Sequence, residues 1–244
     1  MLILIYKELV MYKNVIFDFY GTLADISTNE NKRSLWRNTA QFYCFNGAMY
    51  SAAELKRAYL STVAALYEAC PFEHPDVDLA VVFEKLYTDK NIVPSQECVR
   101  LTAQTFRILS TNYLKLYNGA DELLDSLHDH DKRVYLLTNA QRLFTVPELE
   151  LLGIYEKFDG IVISSDVKCC KPDKNIFMTL LNEFSLKPEE CIMVGNDACA
   201  DIAGAHAVGI DSVYVKSNLS PDIAPKYSKY AIDTAHLDEI LKIV

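Results

Sequence analysis

The sequence predicts an α/β protein: a doubly wound, Rossmann-like parallel sheet interrupted by an all-helical insert. Three observations carry that reading. Short apolar, β-rich runs alternate with helical stretches through the second half of the chain, as in a parallel sheet covered on both faces. A long stretch after the first strand keeps helical spacing and holds no convincing strand. The chain has 244 residues, half of them apolar and 23% charged, enough to bury a sizeable core without disulfides or a structural metal.

The elements follow in order. Asn14–Asp18 (NVIFD) reads as a short buried strand, stopped by Phe19-Tyr20-Gly21-Thr22. From Thr28 to Tyr117 the apolar residues recur at helical spacing. Leu35, Trp36, Thr39, Phe42 and Tyr43 mark one helix, and Leu55, Ala58, Tyr59, Thr62, Val63 and Leu66 a second. Leu79, Val82, Phe83 and Leu86 mark a third, and Thr102–Tyr117 continues in the same way, with Pro71, Pro75 and Pro94 as punctuation. Alternation then returns. Ala120–His128 is a helix, Arg133–Thr138 a strand, Val146–Leu152 a helix and Gly160–Ser164 a strand. Asp173–Phe184 is a helix, Cys191–Gly195 a strand, Cys199–Val208 a helix, Asp211–Val215 a strand and Leu237–Ile243 a closing helix. Residues 1–27 and 118–244 are expected to form the core domain and residues 28–117 a helical domain, with hinges near Ala24–Ser27 and Tyr117–Gly119.

Charge and composition limit the partners. With 24 Lys and Arg against 33 Asp and Glu, the net charge is −9, which repels phosphate backbones and argues against sequence-independent nucleic-acid binding. No run approaches the ~18 apolar residues of a membrane span. Seven cysteines, an odd count without a CxxC pair, read as reduced thiols of a cytoplasmic protein. The opening MLILIYKELV lacks a basic start and an A-x-A site, so it is not read as a signal peptide. Met11 almost abuts the first strand, and the first ten residues read as an upstream extension. A small-molecule substrate, no nucleic acid, no membrane and a monomer or homodimer are the expectations.

Three predicted strands end in polar residues: Asp18, Thr138-Asn139 and Asn196-Asp197. Ligands of open parallel sheets bind outside the carboxyl ends of the strands, so these tips converge on one site. Lys171, before Pro172 at a helix start, reaches the same edge. Carboxylates, a hydroxyl and an ammonium suit a nucleophile, a metal and a bound anion. The five histidines show no metal spacing.

These segments resemble the four motifs of the haloacid dehalogenase-like hydrolase superfamily, in the family's order. Asp18-Phe19-Tyr20-Gly21-Thr22-Leu23 is similar to motif I and Thr138-Asn139 to motif II. Lys171-Pro172-Asp173 with Ile176-Phe177 resembles motif III, and Gly195-Asn196-Asp197 followed by Asp201-Ile202-Ala203-Gly204-Ala205 motif IV. The helical insert looks like the family's C1-type cap of subfamily I. The resemblance implies Asp18 as the nucleophile, forming an aspartyl-phosphate intermediate that water hydrolyses. It implies Mg²⁺ held by the Asp18 carboxylate, the Tyr20 carbonyl and the Asp197 carboxylate, with water completing the shell. Lys171 would pair with the phosphoryl group and orient Asp18. Thr138, Asn139, Tyr20 and Thr22 fall at the substrate- and phosphate-binding positions; Asn196 and Asp201 support them. For Asp201 the choice is between accepting from Lys171 and holding a metal water.

Most phosphatases of the family carry a second Asp where this chain has Tyr20. D-x-Y-G-T-L resembles the metal-free 2-haloacid dehalogenase branch, whereas Asp197 keeps the acidic metal ligand. Three readings therefore stand: a Mg²⁺-dependent phosphatase of small phosphorylated metabolites first, a metal-free dehalogenase, and a weakly catalytic binding module. Arg37 reads as a surface arginine beside a buried Trp36; with Lys32 and Arg33 it would otherwise form a cationic patch for an anionic substrate. A phenol is a poor general acid at neutral pH, so aryl and acyl phosphates are expected to turn over far better than alkyl phosphates.

Overall fold

The computed structural model describes residues 12–244; the extension expected at the first ten residues lies outside the described residues. Six strands form one parallel sheet in the order β5-β4-β1-β6-β7-β8. They are β1 (Asn14–Phe17), β4 (Arg133–Thr138), β5 (Gly160–Ile163), β6 (Cys191–Gly195), β7 (Asp211–Lys216) and β8 (Tyr230–Asp233). β1 lies between β4 and β6, with Phe17 level with Leu136 on one side and Val194 on the other. The strand order reverses around β1, which is the doubly wound pattern.

Strand side chains alternate between faces, and the two faces feed different cores. Val15, Phe17, Val134, Leu136, Ile192 and Val194 join α5 (Ala120–Asp129) through Leu123, Leu124 and Leu127. Ile16, Tyr135, Leu137 and Met193 join α8 (Lys174–Glu183) through Ile176, Phe177, Leu180 and Leu181. Both faces are therefore sealed, and only the strand ends open to ligand.

Between β1 and α5 the chain leaves through β2 (Ala24–Thr28) and returns through β3 (Thr111–Leu116), which pair antiparallel. Four helices lie between them: α1 (Arg33–Phe45), α2 (Ala52–Ala69), α3 (Leu79–Thr88) and α4 (Gln96–Ser110). Ser51, Asp78 and Ser95 start three of these helices by accepting a backbone N–H. Their inward faces make a separate aromatic cluster that includes Trp36, Tyr43, Tyr59, Phe83 and Phe106, joined by Phe144 from α6 (Arg142–Leu151).

A second contact ties the helices to the sheet layer. Pro75 bridges antiparallel to Cys169, Asp76 N–H donates to the Lys168 carbonyl at 3.0 Å, and Cys170 N–H donates to the His74 carbonyl at 2.7 Å. Asp76, 6% exposed, accepts from Ser164 Oγ at 2.6 Å and from Gln141 Nε2 at 3.2 Å. Burial pushes its carboxyl above the usual range.

The structure corrects several expectations. The helix expected to run to Tyr117 stops at Ser110, where the Ser110 and Thr111 hydroxyls each turn back to the Arg107 carbonyl at 2.8 Å. Residues 111–116 are a strand, because TNYLKL alternates Leu114 and Leu116 inward with period two. The segment expected as a hinge at Ala24–Ser27 is the other half of that ribbon. The strand β8 and the short helix α7 (Ser164–Val167) had no counterpart in the sequence reading. The helix expected over Cys199–Val208 is a π-wound turn, Ala198–Ala203, running into α9 (Gly204–Ala207), and the closing helix is a 3₁₀ segment, Leu237–Lys242.

Candidate active site

Asp18 follows β1 and is fixed there by its own N–H, which donates to the Val194 carbonyl at 2.9 Å. It is 7% exposed. Lys171 Nζ donates to Asp18 Oδ1 at 2.7 Å, to Asp201 Oδ1 at 2.6 Å and to the Leu137 carbonyl at 2.7 Å. All three ammonium protons are thus used inside a site where Lys171 is 3% and Asp201 1% exposed. Burial works against the Lys171 charge, but Asp18 and Asp201 outweigh it and hold the ammonium above its ordinary pKa. Burial and the neighbouring Asp18 raise Asp201, against the pull of Lys171. Asp201 also accepts the Asp197 N–H at 2.9 Å, so it ties Lys171 to the tip of β6.

Thr22 donates to Asp18 Oδ2 or Asn196 Oδ1, each at 3.3 Å, and so helps to orient the Asp18 carboxylate. Asn139 lies on the exposed rim, and its amide clamps the Lys171 main chain: Oδ1 accepts from Lys171 N at 2.7 Å and Nδ2 donates to Lys171 O at 3.0 Å. Thr138, 1% exposed, has a hydroxyl without a hydrogen-bond partner among the described residues. Gly21 has φ +91°, and a Cβ there would collide with the Asn196 side chain.

A cavity of about 180 Å³ is lined by Asp18, Tyr20, Thr138, Asn139, Lys171, Asn196, Asp197 and Asp201, and Leu219 and Pro221 add apolar surface to it. Its donor chemistry fits a small hard cation. Asp197 Oδ1 caps the following turn, accepting from Cys199 N–H at 2.8 Å and Ala200 N–H at 2.9 Å, and no hydrogen bond reaches its Oδ2 among the described residues. The Tyr20 carbonyl likewise accepts no hydrogen bond among the described residues. Two carboxylates and a carbonyl leave the remaining positions to water and substrate, the arrangement Mg²⁺ favours over a full protein cage. No cluster of three Asp, Glu, His or Cys side chains stands as a ready-made cage among the described residues.

The Tyr20 side chain points elsewhere. Its hydroxyl bonds to Glu148 Oε2 and lies 3.2 Å from Thr145 Oγ1, both on α6. Burial, then the Glu148 charge, push the phenol well above its ordinary pKa. Arg107 of α4 closes the group, with Nε donating to Glu148 Oε1 at 2.6 Å and Nη2 to Tyr20 Oη at 3.3 Å. A second cavity of about 310 Å³ shares Tyr20 and Asn139 with the first and adds Glu30, Arg107, Gln141 and Phe144. Arg37 is exposed, and among the described residues its side chain hydrogen-bonds only to Asn38, at 3.4 Å. Lys32 donates to the Leu109 and Ser110 carbonyls at the end of α4.

Glu148, Arg107, Asp76 and Gln141 were missed in the sequence. Glu148 carried a legible signal: it shares the inward stripe of α6 with Phe144, Thr145 and Leu149, where an unpartnered carboxylate is costly. Asp76 and Gln141 sit in loop and cap positions with no periodicity to mark them.

A parallel sheet with a carboxylate–lysine–carboxylate cluster at its strand tips defines a class of α/β hydrolases. A sequence model of the haloacid dehalogenase-like hydrolases matches residues 12–209. The chain belongs to that family. It is 28% identical over 139 residues to the glyceraldehyde 3-phosphate phosphatase of Methanothermobacter thermautotrophicus, covering 57% of this chain and 62% of that one. It is 32% identical over 107 residues to the phosphoserine phosphatase of Thermus thermophilus, covering 44% and 43%. The chain spans about half the length of the curated relatives it matches. Among solved structures, a HAD phosphatase from Thermococcus onnurineus superposes with a TM-score of 0.58 at 20% identity, covering 95% and 97%. A dehalogenase does so with 0.59 at 19%, covering 96% and 97%, so the likeness speaks for the fold alone.

Proposed function

We propose that this chain is a Mg²⁺-dependent phosphatase of small phosphorylated metabolites, working through an aspartyl-phosphate on Asp18. The observation that carries the reading is that Asp197, whose Oδ2 takes no hydrogen bond among the described residues, lines the same small cavity as Asp18, Lys171 and Thr138, whose hydroxyl also finds no partner among them. A metal-free dehalogenation needs no second acidic ligand, and Arg37, read from the sequence as a surface arginine, is exposed. The phosphatase names of the curated relatives support the same choice.

Bound Mg²⁺ would supply charge neutralisation between two acidic groups and a phosphoryl dianion, held by Asp18, Asp197 and the Tyr20 carbonyl. Lys171 and Thr22 hold the Asp18 carboxylate in one orientation for attack on phosphorus. The Asp18–phosphorus bond forms as the ester oxygen leaves with its electron pair. Lys171 keeps its proton, since its partners stabilise the ammonium. Thr138 donates to a phosphoryl oxygen, giving its hydroxyl the acceptor it lacks. Water then hydrolyses the acyl phosphate and restores Asp18. The helical insert serves as a cap, with the leaving group in the cavity between α3, α4 and the tip of β4. No helix among the described residues is long and apolar enough to cross a membrane, and all seven thiols are free, as suits a cytoplasmic enzyme.

The test is a screen of phosphorylated metabolites and 2-chloropropionate, with and without Mg²⁺. Mg²⁺-dependent phosphate release is expected; chloride release in EDTA would favour the dehalogenase. With Tyr20 committed to Glu148, kcat/KM is expected to fall with leaving-group pKa by ~10²–10⁴-fold from aryl to alkyl esters. Tyr20→Asp should narrow that gap, and a flat profile in the wild type would show that another group donates the proton.

A further inference from the structure

Tyr20 stands two residues after the nucleophile, yet its hydroxyl is held by groups from two other elements. Glu148 and Thr145 belong to α6, and Arg107 belongs to α4 of the helical insert. The Arg107 and Glu148 side chains are 16% and 10% exposed and form a fork-to-fork pair, with Nε–Oε1 at 2.6 Å and Nη2–Oε2 at 3.2 Å. The guanidinium lies 5.6 Å from the Tyr20 ring centroid and 5.2 Å from that of Phe144. A planar, bidentate, desolvated pair of this kind fixes geometry more tightly than a surface ion pair.

The backbone leaves little slack between this junction and the nucleophile. Gly21 N–H donates to the Ala24 carbonyl at 2.7 Å, and the Thr22 hydroxyl reaches Asp18. The residue whose side chain Arg107 grips also lines the Asp18 cavity, and its carbonyl accepts no hydrogen bond among the described residues. If α4 lifts, Glu148 keeps a buried negative charge without its cation, and the Tyr20 ring loses one of its walls.

We propose that Arg107 is a positioning residue that acts through Tyr20: the loop from Asp18 to Thr22 holds its working geometry only while α4 is seated on α6. The catalytic part of this claim rests on the phosphatase reading; the structural part does not. Seating of the insert is thereby coupled to the nucleophile loop by direct contact, independently of the β2–β3 ribbon.

The test combines Arg107→Gln, Arg107→Lys and Tyr20→Phe. Hydrogen–deuterium exchange of the peptide over residues 17–24, measured without substrate or metal, should rise in Arg107→Gln while β4 stays protected. Arg107→Gln should lower kcat roughly ten- to hundredfold on every phosphate ester, with KM within about threefold, as expected of a coupled neighbour. In the Tyr20→Phe background it should cost less than about twofold more. Calorimetric Mg²⁺ affinity should fall with the kcat. Unchanged exchange over 17–24, effects additive with Tyr20→Phe, or a KM rise confined to substrates with an anionic leaving group would each overturn the proposal. Arg107→Lys, which keeps charge and bulk, carries the exchange test should Arg107→Gln fail to fold. A wild type inert on all phosphate esters would sink the phosphatase reading, and the exchange result would then decide this one alone.

Discussion

Replacing Lys171 with Met removes a cation that is surrounded. Its ammonium makes three hydrogen bonds of 2.6–2.7 Å, two of them to carboxylates, and its side chain is 1% exposed. Met fills the space but leaves Asp18 and Asp201 facing each other without a counter-charge. Breaking a buried pair in this way costs ~3–5 kcal/mol. For a chain of this size that lowers Tm by roughly 6–20 °C. The loss is pH-dependent, and its sign follows from linkage. In the variant Asp201, raised by burial and by Asp18, loses the Lys171 charge that opposes the shift; it holds its proton in the native state at a pH where the unfolded chain has lost it, so stability falls as pH rises through its raised pKa. Calorimetric melting in metal-free buffer should therefore show a smaller deficit relative to wild type at pH 5 than at pH 8. Adding Asp201→Asn removes one of the two charges and should recover part of the loss at pH 8 without restoring turnover. A Lys171→Met protein that melts within 1–2 °C of wild type at pH 8, a shift too small for a buried pair, would refute the argument. So would a double variant less stable than the single one.

Asp18→Asn should abolish turnover by more than ~10³-fold while the protein still folds, since an amide cannot attack; steady-state kinetics and circular dichroism check it together. EDTA should silence the enzyme and Mg²⁺ restore it, while Asp197→Ala should raise the Mg²⁺ concentration for half activity steeply; full activity in EDTA would remove the metal from the mechanism. Asp76→Ala removes the buried carboxylate that accepts from Ser164 and Gln141 and should cost about 1–3 kcal/mol, with faster amide exchange over residues 70–78. Burial raises the thiols of Cys169 and Cys191 to about 11 and that of Cys170 to about 12, so at pH 8 a thiol reagent should label exposed Cys199 first and leave those three intact, as read by mass spectrometry.

The core strands were legible because they are buried on both faces and read as unbroken apolar runs: NVIF, RVYLLT, GIVI and CIMVG. The cluster at their tips was legible for the same reason, since a polar residue at the end of such a run has nowhere to go but the sheet edge. What stayed hidden depends on partners far away in sequence. β3 is read as a continuation of the helical stretch over Thr102–Tyr117 because its six residues follow α4 without a Gly or Pro break; its pairing with β2 selects the strand. β8 is an edge strand of four residues with partly exposed side chains, too short and too polar for a periodic signal. The roles of Asn139 and Tyr20 shift for a similar reason: their residue types fit a substrate contact, and it is Lys171 and Glu148, contributed by other elements, that engage their side chains.

The central place of β1 sets the order in which the chain can assemble during synthesis. Its two neighbours, β4 and β6, lie more than a hundred residues downstream. At ~5–20 residues per second, β6 leaves the ribosome roughly 10–35 s after β1. The four insert helices make their contacts with one another and with a cluster of their own, so they can condense while β1 is still unpaired. Val15, Ile16 and Phe17, all fully buried at the end, wait exposed on the nascent chain, flanked only by Lys13 and Asp18 as charged gatekeepers. A polypeptide released before residue 191 thus carries β1 with one edge unpaired and lacks the tip of β6, which leaves it prone to aggregation and without a complete site.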